Sequence, residues 1–301
     1  DLATSEQIMS VLAERDIPFD MQRTEHAAAE AVAESVDEKA RIMSADEDAD
    51  IAEKTGHESE EWAEGIRYLK ITGLGEGDGR ESVAILEDWA KTNKTSIIVD
   101  VRDAGGKDIA SVDYLAGLFV SSNRVLYTVR DGKGRILETR RAKDVGDIAG
   151  TPVMIVVDDS TRGASELLAA TLKGRPGVML LGSRTSGDAR IREKIPLGEK
   201  ESLYIGTKWL VPGDEEEYDS VGIAPDIEMG KDSVARYARP SKSWKRIGKT
   251  LSEKAKVDRK LMKRVADDPA LARATDILLG LKALGVGDKA ETAGTDEIEG
   301  K

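Results

Sequence analysis

The 301-residue chain has no cysteine, only two histidines and few aromatic residues, which make up 4% of it. Without cysteine it cannot form disulfides, a cysteine-ligated zinc site or a cysteine nucleophile. Because His26 and His57 are the only histidines, a multi-histidine metal site is not expected. We therefore predict neither a metal nor a cofactor, and both histidines are expected at the surface. No run approaches the roughly 18 apolar residues of a membrane span, so no transmembrane segment is predicted.

Positive charge is also in short supply. The chain has 45 Lys and Arg residues against 57 Asp and Glu residues, a net charge of −12. Proteins that bind nucleic acid need a basic face, so no nucleic-acid partner is predicted. Residues 1–64 hold 19 acidic and 5 basic residues, a net of −14, which leaves +2 for the remainder. This change in composition predicts a separate acidic N-terminal segment over residues 1–64.

Hydrophobic periodicity predicts an α/β protein with helical flanks. Residues 8–12 and 27–36 carry apolar stripes at helical spacing, whereas the acidic stretch 45–61 is predicted to be a linker or a solvated helix. Apolar runs at 96–101 and 152–158 are typical of buried strands, and they alternate with helical patterns. The predicted α/β core spans residues 65–230. A C-terminal helical segment and tail are predicted over 231–301, with a basic helix at 240–264 and a helix beginning at Asp268-Pro269.

Two junctions at the ends of predicted strands are candidate sites. The first, residues 100–106, contains Gly105 and Gly106, whose N–H groups could hold an oxyanion. The second, residues 158–166, leads into a helix whose first N–H groups lack helical partners. Each junction also has a plainer explanation, because the glycines suit a tight turn and Ser160 and Ser165 suit helix caps.

The order of five segments adds a family resemblance. Residues 65–74, 98–106, 152–172, 180–187 and 221–227 match, in sequence, the core segments of the carboxy-terminal processing (tail-specific) serine proteases, which the chain therefore resembles. The resemblance implies a ClpP/crotonase-like α/β core with helical N- and C-terminal flanking segments. It also implies an extracytoplasmic, periplasmic setting and a homodimer formed through the N-terminal helices. The family's PDZ module is expected to be missing, because the stretch from Asp46 to Glu64 is only 19 residues long.

The same resemblance implies that the catalytic positions have changed. The family uses a serine nucleophile, with a lysine general base 25 residues later and a supporting glutamine four residues beyond. These positions are matched here by Gly163, Asp188 and Arg192. A glycine has no side chain that could attack a carbonyl, and a carboxylate is no substitute for a neutral amine. The positions of the family's oxyanion donors are better preserved. The glycine pair falls on Gly106 and Lys107, or on Gly105 and Gly106 when the match is shifted by one residue. The other donor corresponds to the N–H of Ala164.

Three functions remain open from the sequence. The first is a pseudoprotease that binds a polypeptide or protein partner through the inherited cleft. The second is an active serine-type peptidase with a relocated nucleophile, Ser160 or Ser165, assisted by a lysine or by Asp188. The third is a purely structural or oligomerisation role. We favour the first, because moving a nucleophile by two or three residues would lose its alignment with the oxyanion donors.

Overall fold

The computed structural model describes residues 4–44, 54–63, 65–91, 95–120, 122–146, 148, 150–213, 218–229, 265 and 267–286. The chain divides into two compact units. One comprises Asp1–Ala52, Asp131–Arg135 and Arg190–Trp209, and the other comprises Glu53–Arg130, Ile136–Ala189 and Leu210–Lys301. The segment boundaries drawn from the sequence at residues 64 and 230 stay a prediction. The basic helix predicted at 240–264 lies outside the described residues.

The described residues form twelve strands and six helices. The strands are β1 Arg41–Ser44, β2 Gly56–Ala63, β3 Ile66–Leu74, β4 Ser96–Asp100, β5 Gly105–Gly106, β6 Val125–Asp131, β7 Ile136–Arg141, β8 Val153–Val157, β9 Val178–Gly182, β10 Arg190–Pro196, β11 Glu201–Pro212 and β12 Ile227–Glu228. The helices are α1 Ser5–Glu14, α2 Met21–Val36, α3 Asp78–Ala90, α4 Ile109–Gly117, α5 Gly163–Leu172 and α6 Pro269–Ala283.

The first unit contains the two N-terminal helices that the apolar stripes predict. A capping box formed by Thr4 and Gln7 starts α1, and the Asp20 carboxylate caps α2 by accepting from the N–H of Arg23. Strand β11 pairs antiparallel with β1 and with β10. A buried ion pair joins helix and sheet, because the Arg192 guanidinium donates to both carboxylate oxygens of Asp37 at 2.8 and 2.9 Å.

The second unit is built on a sheet in the order β12-β9-β8-β4-β3-β2. The first five of these strands run parallel, and β2 pairs antiparallel with β3 at the edge. The predicted linker or solvated helix at 45–61 is therefore wrong for residues 56–61, which lie in β2. The error arose because β2 is an edge strand, whose exposed acidic side chains mask the alternating pattern of a half-buried strand. The hairpin of β6 and β7 forms as predicted.

Helices cover both faces of this sheet. Alternating residues of the parallel strands face α6, whose side chains Leu271 and Leu278 are buried against Ile98 and Met154. The helix begins as predicted, with Asp268 as its N-cap and a proline in its first turn. The Trp62 Nε1–H group of β2 donates to Thr275 Oγ1 at 2.9 Å, which ties the edge strand to α6. The intervening side chains point to the other face, where α3, α4 and α5 pack side by side.

Candidate functional site

The two junctions singled out in the sequence lie against each other. Helix α5 begins at Gly163, shortly after β8. The start of this helix is hydrogen-bonded to β5 and to the residue that precedes β5. The Arg162 N–H donates to the Ala104 carbonyl at 2.9 Å, and the Ser165 hydroxyl donates to the Gly105 carbonyl at 2.6 Å. A Cβ atom at Gly163 would lie 2.6 Å from the Gly106 carbonyl oxygen. The glycine turn and the helix start therefore form one site at the carboxyl edge of the sheet.

Both glycines at this contact have backbone conformations that L side chains rarely adopt. Gly106 has φ +116°, and a Cβ there would lie 2.4 Å from the carbonyl oxygen of Leu74 and 2.5 Å from its amide nitrogen. Gly163 has φ +56°. A side chain at either position would meet backbone atoms, which cannot rotate away. The local geometry therefore favours glycine at position 163.

The predicted oxyanion donors belong to this same site. Ala164 is in the first turn of α5, where N–H groups have no partner within the helix and the helix dipole is positive. Gly105 and Gly106 form β5, a two-residue strand that pairs with Gly73 and Leu74 of β3. The fold thus brings Gly106 and the first turn of α5 together. Their action as oxyanion donors stays a prediction.

The position of the family lysine, Asp188, is bound to α5 through Glu166. The Glu166 side chain is fully buried, and its carboxylate accepts from the Thr185 hydroxyl and from the N–H groups of Gly187 at 2.7 Å and Asp188 at 2.8 Å. Burial raises the pKa of Glu166 above its usual range, against the effect of these three hydrogen bonds, and the negative charge of Asp188 raises it further.

A buried tyrosine completes this acidic cluster. Tyr218 is 4% exposed, and burial together with the negative charges of Glu166 and Asp188 raises its pKa. Neither Tyr218 Oη nor Ser186 Oγ has a hydrogen-bond partner among the described residues. No role was predicted for Glu166 or Tyr218 from the sequence. A signal for Glu166 was present, because it lies within the matched segment 152–172, whereas the contribution of Tyr218 depends on the folding of a distant loop.

The remaining predicted residues lie in different surroundings. Ser165 is fully buried, and its hydroxyl is used in the bond to Gly105. Ser160 is exposed, and its hydroxyl donates to the Asp159 carboxylate at 3.4 Å. Arg192 belongs to the first unit, where it pairs with Asp37. The structure therefore brings Gly163, Gly106 and Asp188 into one network through α5, and it engages Arg192 in an ion pair of the other unit.

A second polar network lies at the end of β4. The buried Asp100 carboxylate receives hydrogen bonds from Arg102 at 2.7 and 3.0 Å and from the Tyr68 hydroxyl at 2.9 Å, and Lys70 lies 3.4 Å away. Arg102 also pairs with Asp268, the N-cap of α6, at 2.7 Å. These side chains line a cavity of about 480 Å³ that also has Asp103 and Asp158 in its wall.

A comparison with models of protein families shows to which family the chain belongs. The model of peptidase family S41 matches residues 65–229. The chain belongs to peptidase family S41. The match covers the parallel sheet, the glycine turn and α5. Its boundaries agree with the segments on which the resemblance was founded.

Individual S41 relatives are distant. The chain is 26% identical over 163 residues to the carboxyl-terminal-processing peptidase 3, chloroplastic, of Arabidopsis thaliana, covering 54% of this chain and 31% of that protein. It is 23% identical over 184 residues to the carboxy-terminal processing protease CtpB of Bacillus subtilis, covering 60% and 38%. The matched part thus amounts to about a third of each relative's length.

A solved structure has a similar fold. The structure of a lipoprotein from Streptococcus agalactiae superposes with a TM-score of 0.54 at 17% identity, covering 76% of this chain and 86% of that one. At this level of identity the likeness concerns the fold alone, and the mixed α/β S41 fold is as predicted. Within the described residues, no helix is both long enough and apolar enough to cross a bilayer.

Proposed function

We propose that this S41 homologue is a pseudoprotease that binds an extended polypeptide, or a segment of a protein partner, at the junction of β5 and α5 without cleaving it. The observation that carries the proposal is the position of Gly163. Its φ of +56° is rare for L side chains, and a nucleophilic side chain there would force the backbone to shift, because its Cβ would lie 2.6 Å from the Gly106 carbonyl oxygen. The N–H of Ala164, in the first turn of α5, can still hold a peptide carbonyl, because it needs no side chain to do so.

The charge at position 188 supports the same function. A serine hydroxyl needs a base, and lysine acts as one only when its amine is neutral. Asp188 instead adds a carboxylate beside Glu166, whose pKa is already raised by burial. Restoring the base position would therefore require a reversal of charge in a buried cluster. This makes a simple return to the serine–lysine arrangement difficult.

Binding and cleavage should be measured separately. We expect fluorescence anisotropy to detect binding of peptides from a library of extended sequences. In Gly106→Val this binding should weaken by about tenfold or more. Gly134→Val is the matched control, because Gly134 also has a positive φ, +77°, but nothing lies within 4 Å of its Cβ position. Chemical-shift changes in the unmodified chain at Gly105, Gly106 and Ala164 provide a measurement that does not depend on the variants folding. Binding that survives Gly106→Val, or shifts confined to other residues, would contradict the proposal.

Proteolysis is tested with an unfolded protein substrate. We expect no cleavage by the chain, and none by a Gly163→Ser, Asp188→Lys double variant, because the serine Cβ would meet the Gly106 carbonyl. Cleavage by the unmodified chain that is lost in Ser160→Ala or Ser165→Ala would instead establish a relocated nucleophile. A circular-dichroism spectrum of each variant shows whether the fold is kept.

The setting and assembly of the protein are part of this proposal. The family's processing proteases in bacteria and chloroplasts support an extracytoplasmic, periplasmic location. The exposed apolar side chains of the N-terminal helices, among them Ile8, Val11 and Val32, support a homodimer through these helices. Sedimentation of Val11→Glu beside the unmodified chain tests the dimer, which should dissociate in the variant. The absence of a PDZ module between the N-terminal helices and the core also stays a prediction.

A further inference from the structure

A cluster of possible metal ligands lies away from the β5–α5 junction. His57 at the start of β2 faces Asp78 and Glu81 in the first turn of α3. One ring nitrogen and one oxygen from each carboxylate lie within 4.8 Å of one another. Across the described ranges of the chain, this is the one group of three or more such side chains that could share an ion. His57 lies more than 20 positions before the two carboxylates in the sequence, so spacing alone did not indicate the cluster.

A second observation at the same residue points to a ligand. His57 is half-buried, and its Nδ1 is a buried atom with no hydrogen-bond partner. A buried polar nitrogen without a partner is costly, and such groups in native structures call for an explanation such as a bound ion or water. This corrects the expectation that His57 is a surface residue. His26 differs, because its two ring nitrogens lie 3.6 and 3.5 Å from Glu30 and Glu201 on opposite sides of the ring.

The fold holds the three side chains in place. Asp78 and Glu81 are three residues apart, so they share one face of α3. The N–H of Gly75 donates to Asp78 Oδ2 at 2.8 Å, which orients that carboxylate. The Thr72 hydroxyl donates to the Gly56 carbonyl at 3.1 Å, which anchors the start of β2 beside β3. Hydrogen bonds of this kind orient ligands in known metal sites.

We propose that His57, Asp78 and Glu81 form a binding site for a divalent transition metal, best suited to Zn²⁺, that joins the edge strand β2 to α3. An imidazole nitrogen favours zinc and similar ions over Mg²⁺ and Ca²⁺, which prefer oxygen ligands. Two carboxylates balance the charge of the ion. Zinc binds nitrogen and oxygen at about 2.0–2.2 Å, so a small closure of the side chains brings the three atoms into its coordination shell. Glu81 is exposed, so solvent completes the coordination.

Calorimetric titration with Zn²⁺ tests the site in the full chain. We expect one saturable site, with affinity reduced by more than about tenfold in His57→Ala and in Glu81→Gln. The Glu81 side chain is exposed, so its replacement leaves the fold intact. His26→Ala is the matched control and should bind like the unmodified chain. Weak Zn²⁺ binding by the many surface carboxylates would persist in every variant. The test of the site is therefore the difference in Zn²⁺ affinity between the variants.

A spectroscopic measurement avoids reliance on variants. The chain has two histidines, so ring-selective NMR shows two sets of imidazole signals, which His26→Ala assigns. Substoichiometric Cu²⁺, a paramagnetic divalent ion that also favours imidazole nitrogen, should broaden the His57 signals and leave those of His26 sharp. Equal broadening of both, no broadening, or Zn²⁺ binding that survives His57→Ala would overturn the proposal. Loss of the Zn²⁺ site in His26→Ala would do so too.

Discussion

Two buried carboxylates, one at the end of β4 and one in the first turn of α5, have pKa values that are shifted in opposite directions. Asp100 at the end of β4 is 1% exposed, and Glu166 in the first turn of α5 is fully buried. Burial alone would raise the pKa of Asp100, but hydrogen bonds from Arg102 and the charges of Arg102 and Lys70 outweigh it and lower this pKa. Burial raises the pKa of Glu166, which has hydrogen bonds but no cation among its main interactions, and Asp188 raises it further.

The difference separates a buried carboxylate that is paired with cations from one that lies beside another carboxylate. The Asp100 network compensates its charge with two cations and also reaches the N-cap of α6, so it braces the sheet. The Glu166 cluster occupies the place where the family resemblance puts a lysine. An aspartate there places a second carboxylate beside Glu166, and its negative charge raises the pKa of Glu166. Substitutions at four positions test this contrast.

The largest effect is expected from Arg102→Met. This change leaves Asp100 buried with one of its two cations removed, and unpaired buried charges are strongly destabilising. The free energy of unfolding should fall by about 3–5 kcal/mol, measured by urea denaturation. Arg135→Met is the control, because Arg135 is 74% exposed and pairs with Asp131 within one turn. It should leave stability unchanged within error. Equal effects of the two variants would show that Asp100 is not a brace.

A smaller loss is expected from Tyr68→Phe. The Tyr68 hydroxyl donates to the Asp100 carboxylate at 2.9 Å in a buried setting. Hydrogen bonds to charged groups contribute about 1.5–3 kcal/mol, so the free energy of unfolding should fall by that amount. Thermal and urea denaturation give the measurement. A change below about 0.5 kcal/mol, within the scatter of ordinary surface substitutions, would mean that the two cations alone compensate Asp100.

Asp188→Asn should change the titration of Glu166. Removing the neighbouring negative charge should lower the pKa of Glu166 towards its ordinary value of 4.5, and Asp188→Lys should lower it more. NMR of the carboxyl carbons measures this order. Asp219→Asn is the control, since Asp219 adjoins Tyr218 in the chain but is absent from the principal causes of the Glu166 shift. If the Glu166 pKa is unchanged in both Asp188 variants, the charge of Asp188 does not affect the pKa of Glu166.

The same contrast gives opposite dependences on pH. The pKa of Asp100 is lowered from 3.8, so its stabilisation is present at neutral pH and is lost as the pH falls through the lowered value. The pKa of Glu166 is raised from 4.5, so its contribution is complete below 4.5 and is lost as the pH rises through the raised value. Asp188→Asn should therefore flatten the loss of stability just above pH 4.5.

The smallest effect is expected from Tyr218→Phe. The Tyr218 hydroxyl is buried without a hydrogen-bond partner among the described residues, so removing it sacrifices no such bond. Stability should stay the same or rise slightly, in contrast to Tyr68→Phe. Urea denaturation of the two variants side by side makes the comparison. A loss as large as that of Tyr68→Phe would reveal a bond that holds Tyr218 in the acidic cluster.

Much of the fold could be predicted from the sequence. The continuous apolar runs of β4 and β8, the hairpin of β6 and β7, and the Asp268 cap of α6 are local signals, and the structure has each element. Strand β2 was missed because its exposed acidic residues at the sheet edge hide the pattern. The candidate site was found in part. The order of the matched segments predicted Gly163, Gly106 and Asp188 as site residues. Residue spacing could not predict that Glu166 is buried with no cation among its main interactions.

The sequence by itself determined the S41 core, and it predicted Gly163 and Asp188 at the chemical positions, because segment order and residue identity are properties of the chain. Only the tertiary structure decided that Gly163 lies against the Gly106 carbonyl and that Asp100, unlike Glu166, is compensated by cations. It also placed His57 beside α3. The physical reason is that burial, backbone approach and charge pairing depend on contacts between residues far apart in sequence, which exist only once the sheet is assembled.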